Sequence, residues 1–360
     1  MTKPALKVSE LSASPSLNKS GGIKEHGKKV GCCFSGIGGF AKGFQNQGFQ
    51  ILWAIEKDKN ATLVFKKNFP MTNTINKEIN KCTFGEDGIS SVDVITAGIP
   101  CQPFSIAGEA RGELDVRSQG VFELLDFIAS FESNKPKVIL CENVRGFLSY
   151  GGGKFFNKIK SIFFEHGYIL TKDLSNIYES FRDTGIPQFR ERLFFTALRR
   201  DIALGYYTGV DLGYGTATRL MGKGFIDIRR KRQDKYYLKA TSKYLNMFKT
   251  EFLKIKKSRK EKTTYLLRRN YVRSNKREIC FTLVSAMGTG GHNVPVVKDR
   301  WGFRKITPSE CARLQGWKAI KIPVAIPDSE VYRLIGNSVV VKIVEKIANN
   351  IKHNLLKNKI

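Results

Sequence analysis

Two periodicities alternate along the chain. Short apolar runs closed by glycine or proline read as buried strands, and longer stretches with apolar residues three and four apart read as helices packed against them. The run from Val30 enters a glycine cluster, Gly36, Gly38 and Gly39, and then a helical stretch over residues 40–47 with Gly48 as its stop. Strands are predicted at 49–55, through Val92, Val94 and Ile95, at 137–141 and at 168–176, with helices at 60–68, 121–131 and 154–166 between them. Leu124, Leu125, Phe127 and Ile128 give the middle helix a core-facing side. Strand, helix, strand repeated in this way predicts an α/β fold of the Rossmann type, a mostly parallel sheet covered by helices. A last helix is expected over 339–356.

The pattern fails at both ends of this core. Residues 1–29 are rich in Ser, Lys and Gly and read as a flexible extension. From about residue 202 to 299 the alternation gives way to basic residues interleaved with Tyr236, Tyr237, Tyr244, Phe248 and Tyr265. The chain of 360 residues carries 61 Lys+Arg against 32 Asp+Glu, a formal charge of +29. Residues 219–278 hold 21 Lys+Arg and 5 Asp+Glu, so +16 of that charge falls in 60 residues and +13 in the other 300. Charge concentrated in this way attracts a polyanion, and nucleic acid is the expected partner. Seven cysteines, none spaced as CxxC, argue against a disulfide framework or a zinc site and for a reducing, cytoplasmic setting. The N-terminus is polar, no apolar run reaches 18 residues, and neither a membrane nor a metal enters the expected partners.

Candidate chemistry sits at strand ends. Cys101 follows Gly98 and Pro100 at the carboxyl end of an apolar run, where α/β sheets bind ligands, and is the candidate nucleophile. Glu142 ends the next strand in the same way and is a candidate proton donor, its carboxyl raised by apolar surroundings. Glu56 lies 20 residues after Gly36, the placement of a ribose-binding carboxylate in a nucleoside-binding βαβ unit. Glu78 is a positional guess for an adenine contact. Arg111 and Arg117 lie in a Gly-containing polar stretch that can meet phosphate. Period-two spacing puts Gln188, Arg190 and Arg192 on one strand face, where a guanidinium can hold a carbonyl oxygen.

Phe34-Ser35-Gly36-Ile37-Gly38-Gly39, Pro100-Cys101-Gln102-Pro103-Phe104-Ser105, Glu142-Asn143-Val144 and Gln188-Phe189-Arg190-Glu191-Arg192, in that order, resemble the DNA (cytosine-5) methyltransferases. The stretches 304–316 and Gly336-Asn337-Ser338-Val339 resemble that family's last two motifs. The resemblance implies a Rossmann-like S-adenosylmethionine-dependent methyltransferase domain with a smaller target-recognition domain. The boundaries expected are 30–200 for the catalytic domain, 201–300 for target recognition, 301–327 for a hinge and return segment, and 328–360 for a helix completing the first domain. It implies S-adenosylmethionine as cofactor, S-adenosylhomocysteine as product, and double-stranded DNA as partner. A separately acting restriction endonuclease and a monomeric state complete the expectation. Cys101, Glu142 and Arg192 become the catalytic set, with Arg190 behind Arg192. Phe34, Gly36, Gly38, Glu56, Glu78, Pro100 and Asn337 become cofactor contacts, Glu78 standing where the family commonly has Asp. Ser105 and Thr282 join Arg117, Arg229, Arg230 and Arg232 as DNA contacts.

Two alternatives remain at this level. One keeps the chemistry and changes the substrate to RNA; RNA-acting relatives carry a Cys-Phe-Thr segment and lack so basic a variable region, and on both counts the expectation is DNA. The other is a catalytically silent DNA-binding protein, against which an intact Cys101, Glu142 and Arg192 weigh.

Overall fold

A computed structural model describes residues 28–100, 119–170, 175–202, 213–216, 218–221, 224–257, 262–268, 270–289 and 293–356. The first lobe runs β1 (Lys29–Cys33), α1 (Gly39–Gln45), β2 (Gln50–Ile55), α2 (Lys59–Asn68), β3 (Asn73–Ile75), β4 (Val94–Gly98), α3 (Gln119–Ala129), β5 (Val138–Asn143), α4 (Gly146–Ser149), α5 (Lys154–Glu165), β6 (Tyr168–Ile169), β7 (Ser175–Glu179), α6 (Ser180–Thr184) and β8 (Glu191–Arg199). The strands form one sheet in the order β3-β2-β1-β4-β5-β8-β6, with β7 also paired to β8. The first five of that order run parallel; β8 is antiparallel to β5, β6 and β7. All six residues of β5 are buried, as a central strand covered on both faces requires.

The strand expected over 168–176 is two segments. Ile169 faces Leu198 and Ser175 faces Phe195, so this edge advances six residues while β8 advances three. Local polarity carries no sign of that slip. The strand expected to hold Gln188, Arg190 and Arg192 starts at Glu191, and Gln188 instead makes an isolated bridge to Cys280.

The second lobe packs α7 (Leu245–Lys256) on an antiparallel sheet of β9 (Tyr265–Arg268), β10 (Tyr271–Ser274), β11 (Val296–Lys298) and β12 (Phe303–Lys305), ordered β10-β9-β11-β12. Phe248, Tyr265, Val272, Val296 and Phe303 form its separate small core. Its last strand lies within the segment expected to be a hinge. The chain then returns through α8 (Pro308–Leu314), α9 (Asp328–Asn337) and α10 (Val341–Asn350). Thr307 and Glu310 close a reciprocal capping box at the start of α8, with Pro308 in its first turn. Helix α10 lies so close to α1 that a Cβ on Gly43 would stand 2.4 Å from Val344 Cγ1. Among the described residues no helix is long and apolar enough to cross a membrane.

One buried ion network joins the lobes. Arg304 of β12, fully buried, holds Glu310 of α8 through two hydrogen bonds of 2.8 and 2.9 Å and Asp299 through one of 3.1 Å. The Tyr237 hydroxyl donates to the same Asp299 carboxylate at 2.9 Å. Removing the cation takes the closest counter-charge from two buried carboxylates, which keep only Tyr237, Arg232 and backbone N–H partners, and this costs more than the pair contributes when intact. Arg304→Met is therefore expected to lower unfolding free energy by about 3–5 kcal/mol, read from urea midpoints; a loss below about 1 kcal/mol would mean that water reaches the network.

Candidate active site

The carboxyl ends of β1, β2, β4 and β5 open onto one cavity of about 610 Å³, closed on its far side by α9 and residues 284–285. Phe34, Gly36, Glu56, Pro100 and Asn337, all expected to touch cofactor, lie on its wall, as do Glu142, Arg190 and Arg192. Gly36 has φ +54° and nothing within 4 Å of a built Cβ, so its backbone conformation alone calls for glycine. Gly38 is different. It precedes α1 with φ +93°, and a Cβ there would meet Phe69 at 2.3 Å, so it serves the packing behind the loop and is absent from the wall.

Glu56 shapes the loop it faces. Its Oε2 accepts the Gly36 N–H and its Oε1 the Asp58 N–H, both at 2.8 Å. Burial pushes its carboxyl up from the usual range, and the two N–H groups pull it back. Ser35, also on the wall, has a buried hydroxyl oxygen with no protein partner. A half-buried carboxylate, an orphaned hydroxyl and an open glycine turn fit the ribose and polar tail of a nucleoside cofactor. Glu78 stands apart: it is off the wall, half-exposed, and held low by Lys81 at 3.0 Å, with Lys57 at 3.9 Å.

At the other end of the cavity Glu142 sits on β5 opposite Gly98 of β4 and Phe194 of β8. Desolvation raises its carboxyl pKa, against the pull of Arg192 and Arg190. Arg192 Nε comes within 3.1 Å of Glu142 Oε1, but the oxygen receives no aligned hydrogen bond. The pair touches without saturating the acid. Arg190 is a clamp. Its buried guanidinium donates to the carbonyls of Leu283 at 2.6 Å, Ser338 at 2.7 Å and Gly336 at 3.2 Å, and burial lowers its pKa to about 9. Gln188 strengthens the same seam, donating to Leu314 O at 2.7 Å and accepting Leu283 N–H at 3.0 Å.

Cys101, Ser105, Arg111 and Arg117 lie outside the described residues. Pro100, next to Cys101 in the chain, is on the wall. The six described cysteines are all buried, and desolvation raises their thiols, Cys32 to about 12. None of these six is poised to ionise. Arg333 belongs to the site without any local sequence signal. It lines the cavity and binds Asp58 at 2.6 Å, and that partner is 275 positions away, beyond any local pattern. Among the described residues no group of three His, Cys, Asp or Glu side chains could hold a metal ion.

The expected DNA contacts divide. Arg229 and Arg230 are exposed and lean on Asp227. Arg232 turns inward, its guanidinium 3.4 Å from the buried Glu310 and bonded to Asp227 O, so it extends the interlobe network. Thr282 donates its hydroxyl to Phe189 O across the seam. It ends the tripeptide Cys280-Phe281-Thr282, which is a Cys-Phe-Thr segment. The expectation that this tripeptide is missing is corrected, and of the two sequence grounds for DNA over RNA only the charge remains.

The model of the family described as C-5 cytosine-specific DNA methylase matches residues 30–353. The Type II methyltransferase M.Bsp6I of Bacillus sp. (strain RFL6) is 33% identical over 332 residues, covering 91% of this chain and 99% of its own. M.HhaI of Haemophilus parahaemolyticus is 27% identical, with 89% and 93% covered. Among solved structures, a putative DNA modification methyltransferase encoded within an E. coli prophage superposes with TM-score 0.63 at 21% identity, over 91% of this chain and 99% of that one. The S. pombe Dnmt2 methyltransferase gives TM-score 0.64 at 19% identity, over 89% and 96%. The two superpositions bear on the fold alone.

The raised carboxyl of Glu142 has a consequence for stability. The unfolded chain releases this proton at a lower pH than the folded one, so its contribution to stability is whole at low pH and declines as pH rises through the folded value. Glu142→Gln lacks that decline. Its urea midpoint relative to wild type is expected to rise between about pH 4 and pH 7; a constant difference would mean that the folded carboxyl is not raised.

Proposed function

Since the chain belongs to the C-5 cytosine-specific DNA methylase family, we propose that it methylates C5 of a cytosine extruded from a specific double-stranded DNA sequence, through a covalent bond between Cys101 and C6 of the base. The observation that carries this reading is the single cavity in which Glu142 and Arg192 meet the Gly36–Glu56 loop and Pro100, the residue before Cys101.

S-adenosylmethionine, when bound, supplies an electrophilic methyl group. Phe34, Gly36, Glu56, Pro100 and Asn337 would hold it, with Gly38 shaping the turn and the Ser35 hydroxyl as an added partner. Cytosine C5 is a weak nucleophile, so the protein must first load electrons into the ring. The Cys101 thiolate adds to C6, Glu142 gives its proton to N3 as charge develops there, and Arg192 holds O2. C5, made enamine-like, would accept that methyl group with S-adenosylhomocysteine as product; loss of the C5 proton to water, with return of the N3 proton to Glu142, then expels the Cys101 thiolate. One hard displacement becomes two easier steps. A carboxyl raised by burial keeps its proton nearer neutral pH, as a donor to N3 must. The base cannot be reached inside a duplex, and unstacking it costs a few kcal/mol that the basic second lobe offsets through phosphate contacts. By resemblance, Ser105, Arg117 and Thr282 would lie along the DNA. The relatives named above as Type II methyltransferases support a bacterial cytoplasmic or nucleoid setting; a monomer, and an endonuclease acting separately on the same sequence, belong to the proposal.

Bisulfite mapping of plasmid DNA after expression tests this reading and yields the recognised sequence. Protected cytosines at one sequence context are expected, with none after expression of Cys101→Ala, whose DNA affinity is retained. Methylation of a tRNA in place of duplex DNA by the purified wild type would move the substrate to RNA. Reversing Arg229, Arg230 and Lys231 to Glu is expected to flatten the dependence of log affinity on log salt by about 0.9 for each phosphate no longer neutralised; an unchanged slope would place the DNA track elsewhere.

A further inference from the structure

Arg277 is built into the rim where the two lobes meet. Its guanidinium carbon lies 5.8 Å from the ring centroid of Phe181 and 5.5 Å from that of Phe189. Its Nη2 is 3.5 Å from Oε2 of Glu179, a carboxylate only 8% exposed. Two rings and one buried acid thus fix a side chain that is itself about half exposed, 49%. An exposed arginine without such support loses rotamer freedom when it binds an anion, whereas this one has already lost it.

The position matters as much as the support. Phe189 lies between Gln188 and Arg190, its N–H bonds Cys280 O at 2.8 Å, and Cys280 N–H returns to Pro187 O at 2.7 Å. Val284 and Ser285, just past this seam, are on the cavity wall with Arg190 and Arg192. Arg277 therefore stands on the seam that adjoins the cavity wall at Arg190 and at Val284–Ser285. Thr282 is the neighbour assigned to a phosphate by resemblance, but its hydroxyl proton is committed to Phe189 O. A phosphate oxygen only accepts hydrogen bonds, so that hydroxyl cannot donate to it while the seam is closed. A guanidinium has five donors in a planar fork, and one edge on Glu179 leaves others for a phosphate.

We propose that Arg277, held by Phe181, Phe189 and Glu179, grips a backbone phosphate of the target strand next to the extruded cytosine. The inference rests on the DNA reading above and assigns the cation at its rim. It makes Arg277 a positioning residue that fixes the strand while Glu142 and Arg192 engage the base.

The test uses the full chain and duplexes carrying the mapped site, with a neutral methylphosphonate replacing one target-strand phosphate at a time. Wild type is expected to lose affinity when a phosphate flanking the target cytosine is neutralised. R277Q is expected to be indifferent to that same replacement and to lose about one unit of salt slope. Arg200 is a control: it is stacked on Phe164 at 4.3 Å but lies past the opposite end of β8, roughly 25 Å from Arg192 at the usual strand rise. R200Q should keep the wild-type slope and response. If R277Q fails to fold, R277K decides. Lysine still neutralises Glu179, so an intact methylphosphonate response overturns the clamp and a diminished one supports it. A folded R277Q with the wild-type slope and response overturns this proposal alone, whereas a wild type with no affinity for duplex DNA overturns the DNA reading with it.

Discussion

A charged guanidinium sealed from water must find acceptors, and Arg190 finds three backbone carbonyls on two separate stretches of chain. Leu283 belongs to the seam leading out of the second lobe, and Gly336 and Ser338 belong to the end of α9 and the turn after it. Hydrogen bonds to charged groups contribute about 1.5–3 kcal/mol each, and leaving such a group buried without them costs more. These bonds fix both far walls of the cavity relative to the strand that bears Arg192. Gly336 makes the closeness possible, since a Cβ there would lie 2.2 Å from the backbone carbon of Val284.

The cavity so closed has two electrostatic ends. At one, backbone N–H groups hold Glu56 in place and partly offset its burial, leaving a carboxylate beside an orphaned Ser35 hydroxyl. At the other, Glu142 is raised by burial and sits against Arg192 without an aligned bond. A hydrogen-bonding end suits a nucleoside cofactor and a proton-donating end suits a base. Arg333, joined to Asp58 at 2.6 Å, ties the cofactor end to α9 as Arg190 ties the catalytic end.

Features encoded by neighbouring residues are legible in the amino-acid order itself. Apolar runs closed by Gly98 or followed by Glu142 announce β4 and β5, and the twenty-residue step from Gly36 to Glu56 announces a carboxylate that does bond the Gly36 N–H. Features set by distant partners are not. Arg232 reads as one more basic residue until Glu310, 78 positions on, draws it inward. The last helix read over 339–356 is α10, whereas the rest of 328–360 holds a separate helix, α9, parted from it at Ser338, whose carbonyl is taken by Arg190. Glu78 is placed at the cofactor by sequence spacing, and its lysine neighbours hold it at the surface.

The central claim is that Cys101, next in the chain to Pro100 of the cavity wall, forms a bond to the base while Glu142 and Arg192 hold it. Duplex DNA with 5-fluorocytosine at the methylated position tests it directly, because fluorine cannot leave C5 as the proton does. With S-adenosylmethionine present, denaturing mass spectrometry should find protein and DNA joined through the peptide containing Cys101, with one added methyl group. Recovery of free protein and free DNA under conditions that methylate the ordinary duplex would contradict the account.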